Sequence, residues 1–396
     1  MYRIAGLAAA IMALVLAVAP VAASSWTMPL AITSSHDAFA SYGRSLATSA
    51  GIVHLVDART SGALDYRRSG DGGLTWSKSV TLASPSKRYP VVLGDPAIAA
   101  LNSLVVFAYR AHDATTAYLI IRVSHDAGLS WDAPKTIAKV VTSRRIGEQS
   151  VAISPAGVFV AWTNRVTGSI IVQRSVDQAA TFKPAQRIGV TTMTFFPGNP
   201  DFTDGLIGLA ATGAFVDLAW SPSGNGTADS IVLSRSVDGG VSYQAPHTIL
   251  ATPSVGWPAL SAAGNILAGE VSGSDGAVIA LSSTNGGATV ASHRLAGPGS
   301  ATLLASGSVA VTAGGVIVLS YVRFVDTGSS LPSSSILVRR SSDGGTHWTP
   351  FETAAVEPAT VNPVDTALVD GRTLLVWTSC SGAALTTCDM FESRGP

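Results

Sequence analysis

Charge is scarce in this chain. Only 13% of its 396 residues are Asp, Glu, Lys or Arg, and 25 acidic against 25 basic side chains leave a formal net charge of zero. Without a basic field the chain lacks the electrostatic footprint of nucleic-acid recognition, which excludes that partner class. Cysteine is also nearly absent, and two residues can frame neither a disulfide mini-protein nor a Cys-based zinc cluster. The seven His are scattered without paired zinc spacing. No Gly-rich loop follows a strand pattern and opens a helix, so nucleotide binding has no support. The reading therefore assigns no metal and no cofactor. What the chain does have is 47% hydrophobic residues, 39 Gly and 20 Pro. Such a composition argues against disorder. Length alone suggests two or three domains, a prior that large all-β folds often break.

The N-terminus carries Arg3, an apolar run over 4–19 and Pro20, with Val21 and Ala23 at the minus-three and minus-one positions before Ser24. A short positive start, an apolar stretch and small residues at a cut site read as a secretory signal peptide. Residues 1–23 are expected to be removed and 24–396 to form one domain. A retained anchor is the alternative, since 4–23 could just span a bilayer with tilt. No second apolar run reaches spanning length, so the processed chain is expected to be exported, with no membrane partner. In an oxidising compartment the even pair Cys380 and Cys388 predicts a disulfide.

Internal repetition is the strongest signal. The pattern Ser, any, Asp, any, Gly, any, Ser/Thr, aromatic reads SGDGGLTW at 69–76, SHDAGLSW at 124–131, SVDGGVSY at 236–243 and SSDGGTHW at 341–348. Worn copies stand at 175–182 (SVDQAATF) and 283–290 (STNGGATV). The acidic position is Asp71, Asp126, Asp177, Asp238, Asn285 and Asp343, at spacings of 55, 51, 61, 47 and 58 residues. A unit of about fifty residues is the size of a propeller blade. The motif suits a tight hairpin connection. A turn Asp accepts nearby backbone N–H groups, Gly supplies positive φ, and the aromatic folds back as a plug. Each copy sits between strand patterns, with two more strands upstream, which reads as a four-stranded antiparallel unit.

These copies resemble the Asp-box (BNR) repeat of sialidase-type propellers, over nearly all of the mature chain. The resemblance implies that each box joins the third and fourth strands of a blade and is structural. It also implies that ligands meet the opposite face. Sialidases, sortilin-like receptors, other glycoside hydrolases and photosystem-assembly factors share the repeat, so the fold does not select among functions.

The chain ends add a blade. Residues 26–32 (WTMPLAI) match the stretch after a box, as in 131–137 (WDAPKTI), and look like an outer strand without its own blade. Residues 364–369, 374–378 and 390–393 look like three inner strands lacking an outer one. Joined, they close an all-β ring of seven blades, with Cys380 and Cys388 flanking a hairpin of the shared blade. A six-bladed ring, with 26–32 as a lead-in, is the alternative. Sialidases of the family have six blades, so seven is a departure.

Repetition serves as an internal control. Arg68, Arg174, Arg235 and Arg340 each precede a box Ser, and a feature copied around the ring reads as structural. Most second strands end in an aromatic: Tyr109, Trp162, Trp220, Tyr321 and Trp377. The fifth unit places Glu270 there, a carboxylate that breaks the repeat. Polar residues out of register follow the same strand end: Asp57 and Arg59, Arg110 with His112 and Asp113, Asn164 and Arg165, Arg323 with Asp326. The opposite loops offer Arg44, Asp95, Arg144, Arg145 and Glu148. A funnel lined by Arg44, Arg59, Arg110, Arg165 and Arg323 could hold an acidic sugar through planar guanidinium forks. By the family resemblance, a retaining sialidase would cast Tyr321 and Glu270 as nucleophile and activator, with Asp57 or Asp95 as the acid. The family's Arg-Ile-Pro signature is absent, and Arg44 stands instead in YGRS. Asn199, Asp201 and Asp204 could offer oxygens to Ca²⁺, and Asn225-Gly-Thr227 is a glycosylation sequon. Three functions stay open: an exported glycan-recognising propeller, a glycoside hydrolase, and a protein-binding or assembly scaffold.

Overall fold

In a computed structural model the described residues are 26–33, 38–39, 44–93, 95–141, 146–193, 207–224, 228–273, 277–296, 302–325, 333–358, 360–361, 364–381 and 387–396. The leader and its cleavage site lie outside them. So do Arg144, Arg145, Asn199, Asp201, Asp204, the Asn225 sequon and Asp326.

The described elements are all strands, and they form seven four-stranded antiparallel blades. Blade 1 is Leu46–Ser49, Ile52–Arg59, Leu64–Ser69 and Val80–Ala83, and blade 2 is Ala97–Leu101, Leu104–His112, Thr116–Ser124 and Lys135–Val141. Blade 3 is Ile146–Ser154, Gly157–Asn164, Ser169–Ser175 and Gln186–Val190. Blade 6 is Thr302–Val311, Ile317–Val325, Ser333–Ser341 and Glu352–Glu357. Blades 4 and 5 are joined. Gly208–Thr212, Phe215–Trp220 and Ala228–Ser236 pair into the first part of His247–Ala263, whose second part opens blade 5 before Ile266–Gly273, Val278–Ser283 and Ala291–Ala296. A register break between Val255 and Pro258 marks where that long strand passes from one blade to the next.

Blade 7 closes the ring. Asp365–Val369, Arg372–Ser381 and Thr387–Gly395 come from the C-terminal end, and Leu30–Ala31 completes the sheet, with Leu30 opposite Glu392 and Ala31 opposite Phe391. Closure of this kind pairs the C-terminal strand Thr387–Gly395 on both sides. The Cys380–Cys388 disulfide forms between directly opposed residues of the hairpin.

Why these segments are strands follows from two-sided burial. Leu104–His112 reads LVVFAYRAH, and eight of its nine residues are buried. A blade packed on both faces needs near-continuous apolar sequence, not alternation. Tight hairpins join first to second strands. Ala50-Gly51 (φ 52° and 76°) and Asp370-Gly371 (φ 49° and 77°) have positive φ at both central positions, the twist-matched hairpin geometry.

The boxes share one hydrogen-bond design. In blade 1, Ser69 Oγ donates to Asp71 Oδ1 (2.7 Å) and accepts from Gly73 N (2.8 Å). Asp71 also accepts from Thr75 N (2.9 Å) and Thr75 Oγ1 (2.7 Å). The same contacts recur at Asp126, Asp177 and Asp238. Asn285 keeps the pattern by donating Nδ2 to Thr289 Oγ1 (2.9 Å), and His347 replaces the hydroxyl at Asp343 (2.6 Å). Bonds to the charged form hold the Asp71 and Asp126 carboxyls down at about 2, first through Thr75 and Ser130 respectively. Arg68, Arg174 and Arg235 reach across to carbonyls of the next blade's box: Ala127 O (2.9 Å), Gly239 O (2.6 Å) and Asn285 O (3.3 Å).

Candidate functional site

Boxes and first-to-second hairpins occupy one face. The opposite face receives the second-to-third connections and the starts of the innermost strands. Those innermost strands surround a central channel of about 280 Å³, to which every blade contributes: Leu46, Ile98, Ser150, Leu209, Leu260, Val309 and Ala367 among its lining.

Arg44 stands at the channel wall just before the first strand of blade 1, with φ 71°, a left-handed conformation that costs an Arg energy. Asp365, on the first strand of blade 7, holds it there. Its carboxylate accepts Arg44 N (2.9 Å), Ser45 N (2.9 Å) and the Ser45 hydroxyl. The guanidinium then crosses to blade 3 and donates Nη1 to Gln149 O (3.1 Å). Burial pulls the Arg44 guanidinium below its usual range, while Glu148 and Asp365 act in the opposite direction. Burial raises the Asp365 carboxyl, against the hydrogen bonds from Ser45 and Arg44.

The Gln149 side chain extends this group into blade 2. Its Nε2 donates to Asp95 O (2.5 Å) and Ala108 O (3.3 Å). Arg110 Nη2 pairs with Asp95 Oδ2 at 2.5 Å, and Arg110 Nη1 donates to Ile146 O (3.2 Å). His112, two residues on, places Nδ1 3.1 Å from Asp113 O. Arg165 lies close by, since a Cβ on Gly147 would come within 3.3 Å of its Nε. Chemically this is a group of alternating guanidinium and carboxylate side chains, of which Arg44 and Asp365 line the channel while Arg110 and Gln149 are buried behind it. Among the described residues no group of three or more His, Cys, Asp or Glu is placed to hold a metal ion.

The structure distributes the sequence candidates over three interfaces. Arg44, Asp95 and Arg110 fall in the bonded group above, with Arg165 beside it. Asp57 and Arg59 lie in blade 1 on the side that faces blade 7. There Asp57 is directly opposite Asp65, Arg67 Nε stands 3.7 Å from Asp57, and Arg59 pairs with Asp65. Glu270 and Tyr321 lie between blades 5 and 6. Glu270 is fully buried and accepts Ser272 Oγ (2.6 Å) and Gly307 N (3.2 Å). Burial raises its carboxyl to about 7, against those two bonds. Tyr321 packs with Val278, Ala280 and Leu337, and Arg323 follows it two residues later on the same strand face.

The ladder corrects the slot assigned to Glu270. Each box Ser pairs with a residue near the start of its second strand: Val53, Val105, Val158, Val216, Leu267 and Ile317. Four residues on stand Asp57, Tyr109, Trp162, Trp220, Val271 and Tyr321. Val271 fills the fifth slot and packs toward blade 4, whereas Glu270 points the other way. The carboxylate that replaces a ring is Asp57. Sequence reasoning passed over Asp365, Gln149, Asp65 and Arg67. Of these, Asp65 was findable, because a carboxylate two residues before an Arg-Arg pair in a strand of this apolar chain demands a partner.

No protein-family model and no curated protein sequence matches the chain. Solved structures do. An ulvan lyase of polysaccharide lyase family PL25 superposes with a TM-score of 0.58 at 9% identity, over 89% of this chain and 93% of that one. The GH93 α-L-arabinofuranosidase of Fusarium graminearum, in complex with arabinobiose, gives 0.53 at 11% identity over 94% and 98%. The phage phi92 endosialidase gives 0.50 at 10% identity over 94% and 69%. At such identities the likeness is one of fold, the closed β-propeller.

Proposed function

We propose that the chain is an exported, sialidase-like Asp-box propeller that binds glycans at the channel mouth on the face opposite the boxes. The observation that carries this reading is Arg44. Its strained backbone is clamped by Asp365, and its guanidinium spans from blade 1 to blade 3 at a concave, polar opening. Strain held by converging hydrogen bonds marks sites where geometry matters to function. The fold neighbours named above are a polysaccharide lyase, an arabinofuranosidase and an endosialidase, which supports a carbohydrate ligand. The leader-like N-terminus and the disulfide support export, with Ser24 as the mature N-terminus.

A glycan array followed by calorimetry tests the reading. Arg44→Asn removes the guanidinium but tolerates positive φ, so it should weaken glycan binding at least tenfold while leaving the unfolding midpoint nearly unchanged. A wild-type chain that binds no glycan refutes the proposal and shifts weight to a protein-binding scaffold. One observation favours a second reading, a glycoside hydrolase: Glu148 and Asp365 both stand within electrostatic reach of Arg44. That reading requires release of reducing ends from an array hit, abolished by Glu148→Gln.

A further inference from the structure

Blade 2 departs from the repeat at its outer rim, toward the face that carries the channel mouth. Tyr118, near the start of the third strand, stands directly opposite Lys139, near the end of the fourth. The same step of the ladder is Ser169 with Val190 in blade 3, Ser230 with Ala251 in blade 4 and Ser335 with Val356 in blade 6. A serine opposite an aliphatic residue therefore satisfies the fold at this step. The blade itself needs neither a ring nor a charge there, and such a break in a repeat points to function.

A second ring joins the first. Tyr89, from the connection between blades 1 and 2, meets Tyr118 edge to face with ring centres 5.1 Å apart. Both rings are half-buried and both hydroxyls are anchored. Tyr118 Oη donates to Asp113 Oδ2 (2.8 Å), and Tyr89 Oη lies 3.1 Å from Thr136 Oγ1. Asp113 is itself fixed in the second-to-third connection by Thr115 N (2.7 Å) and Thr116 N (2.8 Å). The Tyr89 loop closes on itself, with Ser86 N donating to Tyr89 O (2.8 Å) and Tyr89 N to Ser86 Oγ (3.1 Å). Two exposed cations flank the rings: Arg88 lies 5.1 Å from the Tyr89 ring centre and Lys139 lies 5.9 Å from that of Tyr118. Among the described residues neither cation pairs with a carboxylate. The result is a preformed, solvent-open surface. Its rings match the C–H face of a sugar, and its cations match a carboxylate or sulfate carried by that sugar. It shares a face with the channel mouth, so a glycan held at Arg44 can extend outward along blade 2.

We propose that Arg88, Tyr89, Tyr118 and Lys139 form an outer subsite for an acidic glycan, one bearing uronate or sulfate groups, whose end is held at the channel mouth; this rests on the glycan-binding reading above. The test uses the full chain with oligogalacturonates and chondroitin sulfate oligosaccharides, each as disaccharide and octasaccharide, titrated by calorimetry. In the wild type an acidic octasaccharide should bind at least tenfold tighter than its disaccharide. The sibling blades supply the variant: Tyr118→Ser with Lys139→Val should cut that gain below threefold and leave disaccharide affinity and the unfolding midpoint as they were. Tyr118→Ser alone keeps both charges, and Arg88→Ala keeps both rings. Each should lose at least threefold in octasaccharide affinity. Arg44→Asn should instead weaken both lengths alike. A gain that persists in the double variant, a Tyr118→Ser chain that matches the wild type, or an octasaccharide held no tighter than its disaccharide would overturn the outer subsite and leave the channel reading standing. Binding of neither acidic series would also overturn it, and binding of no glycan on the array would overturn both.

Discussion

Replacing Glu270 by Gln should stabilise the protein at pH 8 and leave it unchanged at pH 4. The carboxyl is fully buried between blades 5 and 6, and burial raises it from 4.5 to about 7. Below pH 4.5 the group is protonated in both folded and unfolded chains, so it contributes no difference. Between 4.5 and 7 the unfolded chain has released its proton and the folded chain has not. Stability therefore falls with rising pH across that window and levels off above it. At about 1.4 kcal/mol per unit, the full penalty is about 3.5 kcal/mol. The local bonds explain why Gln fits. The carboxyl accepts from Ser272 Oγ and from Gly307 N, and on protonation the Ser272 hydroxyl can turn to accept in its place. A Gln amide meets the same two partners with its oxygen and nitrogen. Urea unfolding of the two proteins from pH 4 to pH 8, at equal m-value, gives the comparison. Asp217, also raised by burial to about 7, titrates in both proteins and cancels in the difference. A difference between the two proteins that is flat with pH, or a loss at pH 8, would show that Glu270 is held ionised and would refute the burial argument.

Two further outcomes follow from local geometry. Gln178 in the worn third box has φ 58°, where its siblings Gly72, Gly239, Gly286 and Gly344 sit at no steric cost, so Gln178→Gly should raise stability by about 0.5–1 kcal/mol in urea unfolding. Cys380 and Cys388 lie 8 residues apart, and by loop-closure entropy the paired Cys→Ser variant should lose roughly 2–3 kcal/mol, with added reductant lowering only the wild type.

Much of the architecture was legible before any coordinates. The box marks the end of the third strand in blades 1 to 6, and six copies at near-equal spacing count six blades outright. The chain ends supplied the seventh, because residues 26–32 carry the post-box pattern without a box of their own. The site was less legible for a physical reason. The second-to-third connections vary in length around the ring, so counting back from a box does not establish which residue of the second strand faces which neighbour. Glu270 and Val271 are one residue apart and face opposite blades, since strand side chains alternate. A one-residue slip therefore moved the anomalous carboxylate from blade 1, where Asp57 has it, to blade 5. Arg44 was visible as an out-of-register Arg, but its partner Asp365 is 321 residues away in sequence and becomes a neighbour only through ring closure.

The closure itself has a consequence for how the ring holds together. The last residue of each box, aromatic in all but Val290, packs on the preceding blade: Trp76 on blade 7, Trp131 on blade 1, Phe182 on blade 2, Tyr243 on blade 3, Val290 on blade 4 and Trp348 on blade 5. Blade 7 has no box, so blade 6 would lack a plug. Trp26 supplies it. The ring packs with Val318, Val322 and Ile336 of blade 6, and its Nε1 donates to Glu352 Oε2 at 3.1 Å, across 326 residues of chain. Arg340, which has no next box to reach, instead lies 5.4 Å from the Trp26 ring centre. Seven plugs thus complete a circuit in which the segment before the first blade acts as the missing seventh box. Five of the plugs belong to sequence-adjacent blades and carry a modest loop-closure cost, whereas Trp76 on blade 7 is held across 316 residues of chain. Trp76 on blade 7 and Trp26 on blade 6 must both bring the chain ends together, so the strand around Leu30 is expected to dock after the other blades have formed. Once docked, it pairs with the otherwise open edge of Thr387–Gly395.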